Sequence, residues 1–165
     1  MKSIGILVDN LGHSELSYLL CKNINNFLER YSGIDVIVYC NQHFLSIIKP
    51  LFSVMQLNEC FGHIGPLIST SIDTALFMER VCNQAQKFFY VWDLEFLRHN
   101  TYSYALWAQQ EKNYPINEKF FREIYHKYYL IARCLDHKKV LENNYNLKCD
   151  AIIPDFQLGR FLAEI

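Results

Sequence analysis

The chain has little net charge and no long apolar run. Its 16 basic and 17 acidic residues give a formal net charge of −1, which excludes an overall field that would attract nucleic acid or an anionic membrane. No stretch approaches the ~20 apolar residues of a membrane-spanning helix. The first apolar segment is too short for a secretory signal and ends on a charge, Asp9. We therefore expect a soluble, cytoplasmic protein that does not bind membranes.

Cysteine pairs of the CxxC type are absent. The six cysteines are spread between positions 21 and 149, which is typical of reduced thiols in a cytoplasmic protein rather than of a disulfide framework. Two CxxH spacings occur, Cys60 with His63 and Cys134 with His137. Because the two pairs lie far apart in the sequence, we expect buried thiols rather than a zinc site, and we assign no metal ligand there.

Three signatures of nucleotide binding or catalysis are also missing. The loop after the first apolar run contains Gly12 alone, so the GxGxxG pattern of dinucleotide binding is absent. The GxxxxGK[ST] phosphate loop and the GxSxG nucleophile turn are absent as well. The sequence therefore gives little support for a reaction that uses NAD or ATP. No repeat, low-complexity tract or linker divides residues 1–165, so we expect one domain.

The sequence does contain short apolar runs bounded by turn residues. Runs of this length that are rich in Ile and Val fit strands covered on both faces, as in a parallel sheet. Six are evident, at 4–8, 35–40, 66–70, 88–92, 129–132 and 150–154. The segment 53–56 could form another strand, and 44–48 a helix stopped by Pro50.

Helical patterns alternate with these runs. Helices are expected at 14–30, 71–83, 117–126, 136–144 and 158–165. Ser14 can cap the first helix, and Ser71 or Asp73 the second. Gly33 is expected to end the first helical unit, after Tyr31 and Ser32, in a left-handed C-cap position. The alternation predicts an α/β fold, a Rossmann-like and mostly parallel sheet of about six strands with helices on both faces.

Two segments near the end of the chain carry the most specific pattern: LIARCLDHKKVLEN at 130–143 and CDAIIPDFQLGRF at 149–161. They resemble the end of the N-terminal domain of GT-B glycosyltransferases, which are built from two Rossmann domains. In that family a strand delivers a polar residue, a helix follows, and the next strand ends in a Val-Ile-Pro-like turn. Residues 152–154 match this turn, whereas Asp155 and Phe156 replace the usual Asn-Gly, and Cys134 stands where Ser is common.

The resemblance implies an acceptor-side domain. In GT-B enzymes the second domain holds most of the nucleotide sugar, and this chain ends eleven residues after Pro154. We therefore expect the donor-binding domain to be missing. The run KFFYVWDLEFLR at 87–98 is similar, in addition, to short glycosyltransferase-like proteins of cyanobacterial tailed phages. A phage-encoded protein of this kind would act in the host cytoplasm.

The first candidate site is the loop that follows the first strand. Asp9, Asn10, His13 and Ser14 can hydrogen-bond a sugar or a phosphate, because Gly12 lets a ligand approach the backbone and the helix start favours negative charge. Loops in this position of an open parallel sheet are the usual binding sites. The alternative is that Gly12 only makes the turn.

A second candidate site follows the run at 88–92. Asp93 and Glu95 lie two apart, with Arg98 close behind. Such a pair could hold Mg²⁺ or Mn²⁺ and the diphosphate of a nucleotide sugar, as the DxD motif does in GT-A glycosyltransferases. One carboxylate could instead act as a base toward a sugar hydroxyl. An acidic pair in this position is also typical of a helix cap or of partners for Arg98.

A third candidate site lies in the basic segment 119–148. Residues 118–148 carry seven Lys or Arg against four Asp or Glu. Arg133, His137, Lys138 and Lys139 surround one strand-to-helix turn, where a phosphate could rest on the helix start and on the cations. A charge excess of this size is also typical of a solvated helix face.

Aromatic side chains concentrate between 88 and 115. The set comprises Trp92, Trp107, Tyr90, Tyr102, Tyr104 and Tyr114. They could form an acceptor or partner surface, because aromatic rings stack on sugars and bind proteins. Filling the space between the sheet and a helix is the alternative.

The leading interpretation is a glycosyltransferase-like protein that binds a sugar acceptor or a nucleotide sugar in the crevice at the carboxyl ends of the strands. If it is catalytic, Asp93 or His13 is expected to deprotonate the acceptor hydroxyl. Arg133 and Lys138 are then expected to neutralise the departing diphosphate.

Two other classes of function stay open. One is a non-catalytic interaction protein that keeps a degenerate glycosyltransferase scaffold. The resemblance of residues 87–98 implies that such a protein would be encoded by a phage. The other is a nucleic-acid-binding protein that uses the segment 119–148, which the net charge disfavours. A polar crevice that contains Asp9, Asp93 and Arg133 favours the enzyme, whereas an exposed patch of Tyr and Trp favours the interaction protein.

Overall fold

The computed structural model describes residues 2–43, 48–81, 86–97 and 118–164. The strands are β1 (Lys2–Leu7), β2 (Asn10–Leu11), β3 (Ile34–Cys40), β4 (Gln42–His43), β5 (Ser53–Gln56), β6 (Leu67–Ser69), β7 (Lys87–Val91), β8 (Tyr129–Ala132) and β9 (Ala151–Ile152). The α-helices are α1 (Glu15–Arg30), α2 (Ile72–Glu79), α3 (Glu118–Tyr125), α4 (Leu135–Tyr145) and α5 (Leu158–Glu164). Short 3₁₀ helices span Leu57–Gly62, Glu95–Leu97 and Pro154–Phe156.

Seven strands form one sheet in the order β5-β3-β1-β6-β7-β8-β9, and each neighbouring pair is parallel. The sheet and its flanking helices confirm the predicted Rossmann-like α/β fold. The connections proceed toward one edge from β1 to β5 and toward the other edge from β6 to β9. The strand order therefore reverses between β1 and β6, where the loops leave in opposite directions and open a crevice.

All six apolar runs form strands of this sheet, and the seventh strand is the segment 53–56. This strand, β5, lies at the edge of the sheet and pairs only with β3. Three of its four side chains are exposed, which explains why its pattern was less clear than that of the central strands. The helix expected at 44–48 falls largely outside the described residues.

Alternating side chains of the strands face two layers of helices. On one face, α1 and α5 cover a cluster that includes Ile4, Ile6, Val36, Val38, Ile68, Tyr90 and Ile131. On the other face, α2, α3 and α4 cover Phe89, Val91, Leu130 and Ala132. A third cluster, on the face of Leu7, Tyr39 and Leu67, is closed by the 3₁₀ helix at 57–62 and by the end of α2. Continuous apolar strands are required because both faces are covered.

The starts of α1 and α2 agree with the caps expected from the sequence, whereas the end of α1 does not. The Ser14 hydroxyl accepts from the Ser17 amide at 3.1 Å, and the Ser71 hydroxyl accepts from the Thr74 amide at 3.2 Å, so both serines are N-caps. The C-cap expected at Gly33 is wrong: helix α1 ends at Arg30 and its C-cap is Tyr31, which is extended, while Gly33 takes its positive φ of 83° in the turn that leads into β3.

The chain beyond β1 stays extended for longer than the sequence indicated. Instead of turning at once, Asn10 and Leu11 pair in parallel with β4. The Asn41 amide also donates to the Asp9 carbonyl at 2.9 Å. Leu11 is fully buried, so burial of this side chain holds the loop against the protein before the chain bends into α1.

None of the helices in the described ranges is both long enough and apolar enough to span a membrane.

Gly65 is required where the chain enters β6. Its φ is +126°, and a Cβ atom there would lie 2.2 Å from the Ser3 carbonyl oxygen. We expect Gly65→Ala to lower the free energy of unfolding by at least ~2 kcal/mol, because both the backbone conformation and the contact with β1 are incompatible with a side chain. Gly62→Ala is the matched control, since a Cβ atom at Gly62 meets nothing within 4 Å. Urea unfolding of the two variants measures the difference, and equal stabilities would contradict this account.

Candidate functional site

The candidate site is the crevice at the carboxyl edge of the sheet, where the strand order reverses. Asp9 follows β1, Ser71 follows β6, Asp93 follows β7 and Arg133 follows β8. The Thr70 hydroxyl donates to the Leu7 carbonyl at 2.8 Å, which ties the loop after β6 to the end of β1. The loops that carry the predicted residues are thereby brought to one edge of the sheet.

Asp9 follows β1 at this edge of the sheet and is partly exposed. Burial raises the pKa of Asp9, and a hydrogen bond with the Ser71 side chain opposes this increase. The Ser71 oxygen accepts from the Thr74 amide at the same time. The same serine therefore caps α2 and lowers the pKa of Asp9, so the electrostatics of this carboxylate depend on the start of the helix.

Glu95 is held beneath the crevice rather than presented to it. Its side chain is 4% exposed, and its Oε2 accepts from the Ile72 amide in the first turn of α2 at 3.0 Å. Burial raises the pKa of Glu95 well above its usual value, and the nearby carboxylates of Asp9, Asp73 and Asp93 raise it further, while the contact with Ile72 opposes them. Of the roles considered for Glu95, this geometry is that of a helix cap.

The first loop is closed by its own side chains. The Gly12 amide donates to the Ser17 hydroxyl at 3.0 Å, and the Ser14 hydroxyl donates to the same oxygen at 2.9 Å. Asn10, His13 and Ser14 have exposed side chains at the mouth of the crevice. Because these contacts occupy the amide of Gly12 and cap the start of α1, a phosphate would have to displace them.

Arg133 contacts several neighbouring groups. Its guanidinium pairs with Glu15 at 2.8 Å and with Asp155 at 3.4 Å. It also lies over the ring of Trp92, 3.7 Å from the centroid, and Trp92 stacks on Phe156. The arginine thus joins α1 and the loops that follow β7 and β9. Its charge is compensated by two carboxylates.

The turn after β9 adopts an unusual conformation. Asp155 and Phe156 have φ angles of 46° and 56°, a left-handed region that costs energy for residues with a Cβ atom. Three contacts hold this turn. The Tyr90 hydroxyl donates to the Ile153 carbonyl, and the side-chain amide of Asn23 donates to the Asp155 carbonyl at 2.6 Å. Arg133 pairs with the Asp155 carboxylate.

The start of α4 differs from the starts of α1 and α2. Its N-cap residue, Cys134, makes no side-chain capping hydrogen bond. His137 lies in its first turn, and the buried Nδ1 atom of His137 has no hydrogen-bond partner among the described residues. Burial lowers the pKa of His137, and so does Arg133. Lys138 lies 3.9 Å from Glu142, one turn along the helix.

The basic segment does not form one continuous cationic surface within the described residues. Lys119 pairs with Glu123 on α3, and Lys127 pairs with Glu79 of α2. With Arg133 and Lys138 also paired, much of the local charge excess is compensated by ion pairs.

Two of the predicted aromatic residues are described, and neither is a free stacking surface. Tyr90 is fully buried against Phe156 and Phe161. Trp92 is half-buried between groups that include Arg133. Arg98, Tyr102, Tyr104, Trp107 and Tyr114 lie outside the described residues.

No group of three or more His, Cys, Asp or Glu side chains in the described ranges is arranged to hold a metal ion. The two CxxH pairs have different surroundings. His63 hydrogen-bonds with Tyr39, beside the sheet face that carries Leu7, whereas His137 lies near Arg133.

Several residues of the crevice were not singled out from the sequence as site residues. Ser71 was expected only as a cap, and Glu15, Asp73 and Asp155 were not proposed as participants. The sequence predicts substrate binding by Asp9. The structure adds that the pKa of Asp9 is raised and that, unlike Glu95, its side chain is partly exposed. Its position directly after a central strand that is buried on both faces was the available signal.

Glu95 provides a test of the capping role. We expect Glu95→Gln to keep the contact with the Ile72 amide and the stability of the protein, whereas the shorter Glu95→Asp should lose about 1 to 3 kcal/mol. Because the pKa of Glu95 is raised in the folded state, the wild type should lose stability as pH rises through that pKa, and the Gln variant should not. Urea unfolding at several pH values checks both. A Gln variant as unstable as the Asp variant would exclude the cap.

The interpretation of this site rests on its geometry, because comparisons with known proteins identify no relative. No protein-family model matches the sequence, and a search of the curated proteins finds no significant relative.

Proposed function

We propose that the crevice binds a sugar as the acceptor of a glycosyl transfer, and that Asp9 accepts the proton of the reacting hydroxyl. The observation that carries this proposal is the state of Asp9. It is a partly exposed carboxylate at the reversal of strand order, its pKa is raised by burial, and the Ser71 side chain opposes that increase. A carboxylate of raised basicity in a crevice suits a general base.

The charges of the crevice favour a neutral ligand over an anion near Asp9. Glu95 senses the carboxylates of Asp9, Asp73 and Asp93, so all four acids lie in one region. Both adjacent helix starts, α1 and α2, are capped by side chains of the protein. A sugar can donate its hydroxyls to carboxylates, whereas a diphosphate would be repelled unless a divalent cation accompanied it.

Asp93 and His13 have supporting roles in this proposal. Asp93 follows β7 and raises the pKa values of both Glu95 and His137. His13 is exposed at the mouth. Both can contact an acceptor, together with Asn10 and Ser14.

A nucleotide-sugar donor would meet the other end of the crevice, at Arg133 and the start of α4. A diphosphate at Arg133 would compete with Glu15 and Asp155 for the guanidinium. Lys138, His137 and the N-terminus of α4, which lacks a side-chain cap, are nearby. Donor binding therefore competes with existing ion pairs, while acceptor binding near Asp9 does not.

The positions 155 and 156 lend some support to the resemblance to GT-B glycosyltransferases. These are the positions where that family has Asn-Gly, and both have positive φ angles in this chain. Asn and Gly adopt such angles at low cost, so the turn has the conformation that the Asn-Gly pattern favours.

An interaction protein is the second candidate function. Its predicted hallmark was an exposed patch of Tyr and Trp, but Tyr90 is buried and Trp92 is covered by Arg133. Within the described residues, the polar crevice with Asp9, Asp93 and Arg133 therefore favours the sugar-binding proposal.

Asp9→Asn tests the proposal. With neutral mono- and oligosaccharides as acceptors and a panel of nucleotide sugars, with and without Mg²⁺ or Mn²⁺, we expect release of nucleoside diphosphate by the wild type. We expect kcat to fall by about 10²- to 10⁴-fold in Asp9→Asn. Asp35→Asn is the matched control, because Asp35 is exposed near the amino end of β3. Full activity in Asp9→Asn, or no sugar binding by the wild type in calorimetry, would refute the proposal.

The pH dependence gives an independent check on Asp9. A base must be deprotonated, and the folded-state pKa of Asp9 is raised by burial. Activity should therefore decline, as pH falls, at a higher pH than an ordinary aspartate with a pKa of about 3.9 would cause. The pH profile of kcat/KM for the wild type measures this, and a profile that is flat down to the usual aspartate range would contradict it.

A further inference from the structure

A second cleft lies on the sheet face that carries Tyr39, away from the carboxyl-edge crevice. Its volume is about 580 Å³, and it is lined by Ser3, Ile37, Tyr39, Met55, Glu59, Gly62, His63 and Ile64. Ser3, Ile37 and Tyr39 form its floor, because β1 and β3 present them on the same face. The volume is in the range of small-molecule sites.

The walls of the cleft are apolar and unusually exposed. Ile64 is 87% exposed, and Met55, on the edge strand β5, is also exposed. A Cβ atom at Gly62 would meet nothing within 4 Å, so the backbone is open to a ligand at that point. Removal of these side chains from water by a ligand is favourable.

Among the residues that line the cleft, one carries a formal negative charge and the others are neutral. The Tyr39 hydroxyl and His63 Nδ1 are 2.8 Å apart. Burial raises the pKa of Tyr39 to about 12 and lowers the pKa of His63, so both are neutral at physiological pH. Among the lining residues, Glu59 alone is charged. One of its oxygens accepts from the Gln56 amide at 2.8 Å, which leaves the other available.

A buried hydroxyl adds a second polar group. The Ser3 Oγ atom is buried and has no hydrogen-bond partner among the described residues. An unsatisfied buried hydroxyl is costly, and a ligand with a donor group would satisfy it.

We propose that this cleft binds an apolar amine of small-molecule size. The apolar body would lie against Ile37, Met55 and Ile64, and the ammonium group would be attracted by Glu59 and donate hydrogen bonds to the free oxygen of Glu59 or to Ser3. The charge of Glu59 distinguishes this ligand from a carboxylate of the same shape. The inference does not depend on the function proposed for the carboxyl-edge crevice.

Three probes that share an aromatic body test the ligand class: 2-phenylethylamine, 2-phenylethanol and 3-phenylpropionate. In NMR titrations of the full chain, we expect the amine to shift the ring signals of Tyr39 and His63 without shifting those of the Asp9 loop. We expect the amine to bind about threefold more tightly than the alcohol, since a single exposed charge contributes little. The carboxylate should bind more weakly than both.

Three variants locate the interactions. Glu59→Gln keeps an acceptor for Gln56 and should remove the preference for the amine over the alcohol. Ile64→Ser should weaken binding of the amine and the alcohol alike. Leu97→Ser is the control, because Leu97 is 56% exposed and does not line the cleft. The absence of amine-induced shifts at Tyr39 and His63, equal affinity for the amine and the alcohol in the wild type, or an unchanged preference in Glu59→Gln would each overturn the proposal.

Discussion

The pairing of β1 with β3 on one side and with β6 on the other is the constraint on which the crevice depends. Because these pairings are parallel, the chain must leave the carboxyl end of each strand and return across a face of the sheet. The chain leaves β1 toward β3 and leaves β6 toward β7, in opposite directions along the sheet, so the loops at the ends of these two strands diverge. Asp9 is the first polar residue beyond β1, and it therefore lies where the loops separate.

The start of α2 transmits this constraint to the acids of the crevice. Ser71 caps the helix and lowers the pKa of Asp9, and Glu95 accepts from the amide of Ile72, the residue after Ser71. A helix N-terminus stabilises nearby negative charge, but burial penalises it. Burial outweighs the opposing effects of Ser71 on the pKa of Asp9 and of the Ile72 amide on the pKa of Glu95. Both carboxylates are therefore more basic than exposed acids.

The sequence predicted the parts of the structure that depend on local patterns. The central strands are apolar because both faces of the sheet are covered, and Ser14 and Ser71 cap helices that begin one residue later. The edge strand β5 was less certain because most of its side chains are exposed. The partners of Arg133 could not be predicted, since Glu15 is 118 positions away in the sequence and is joined to it only by the fold. A helix cap was one of several roles that the sequence allowed for Glu95. The sequence could not show that Glu95 contacts Ile72, because only the tertiary fold brings the two residues together.

The two ends of the crevice differ in how firmly their charges are held. At the Asp9 end, like charges face one another and burial raises their pKa values, so a neutral ligand with hydroxyl groups can bind without separating any ion pair. At the Arg133 end, opposite charges are already joined, and the turn that supplies Asp155 is kept in a costly conformation by Tyr90 and Asn23. Breaking the pair between Arg133 and Asp155 would remove one of the contacts that hold this turn. An anion that binds Arg133 is therefore expected to change the conformation of residues 154–156, which couples anion binding to the segment that follows β9.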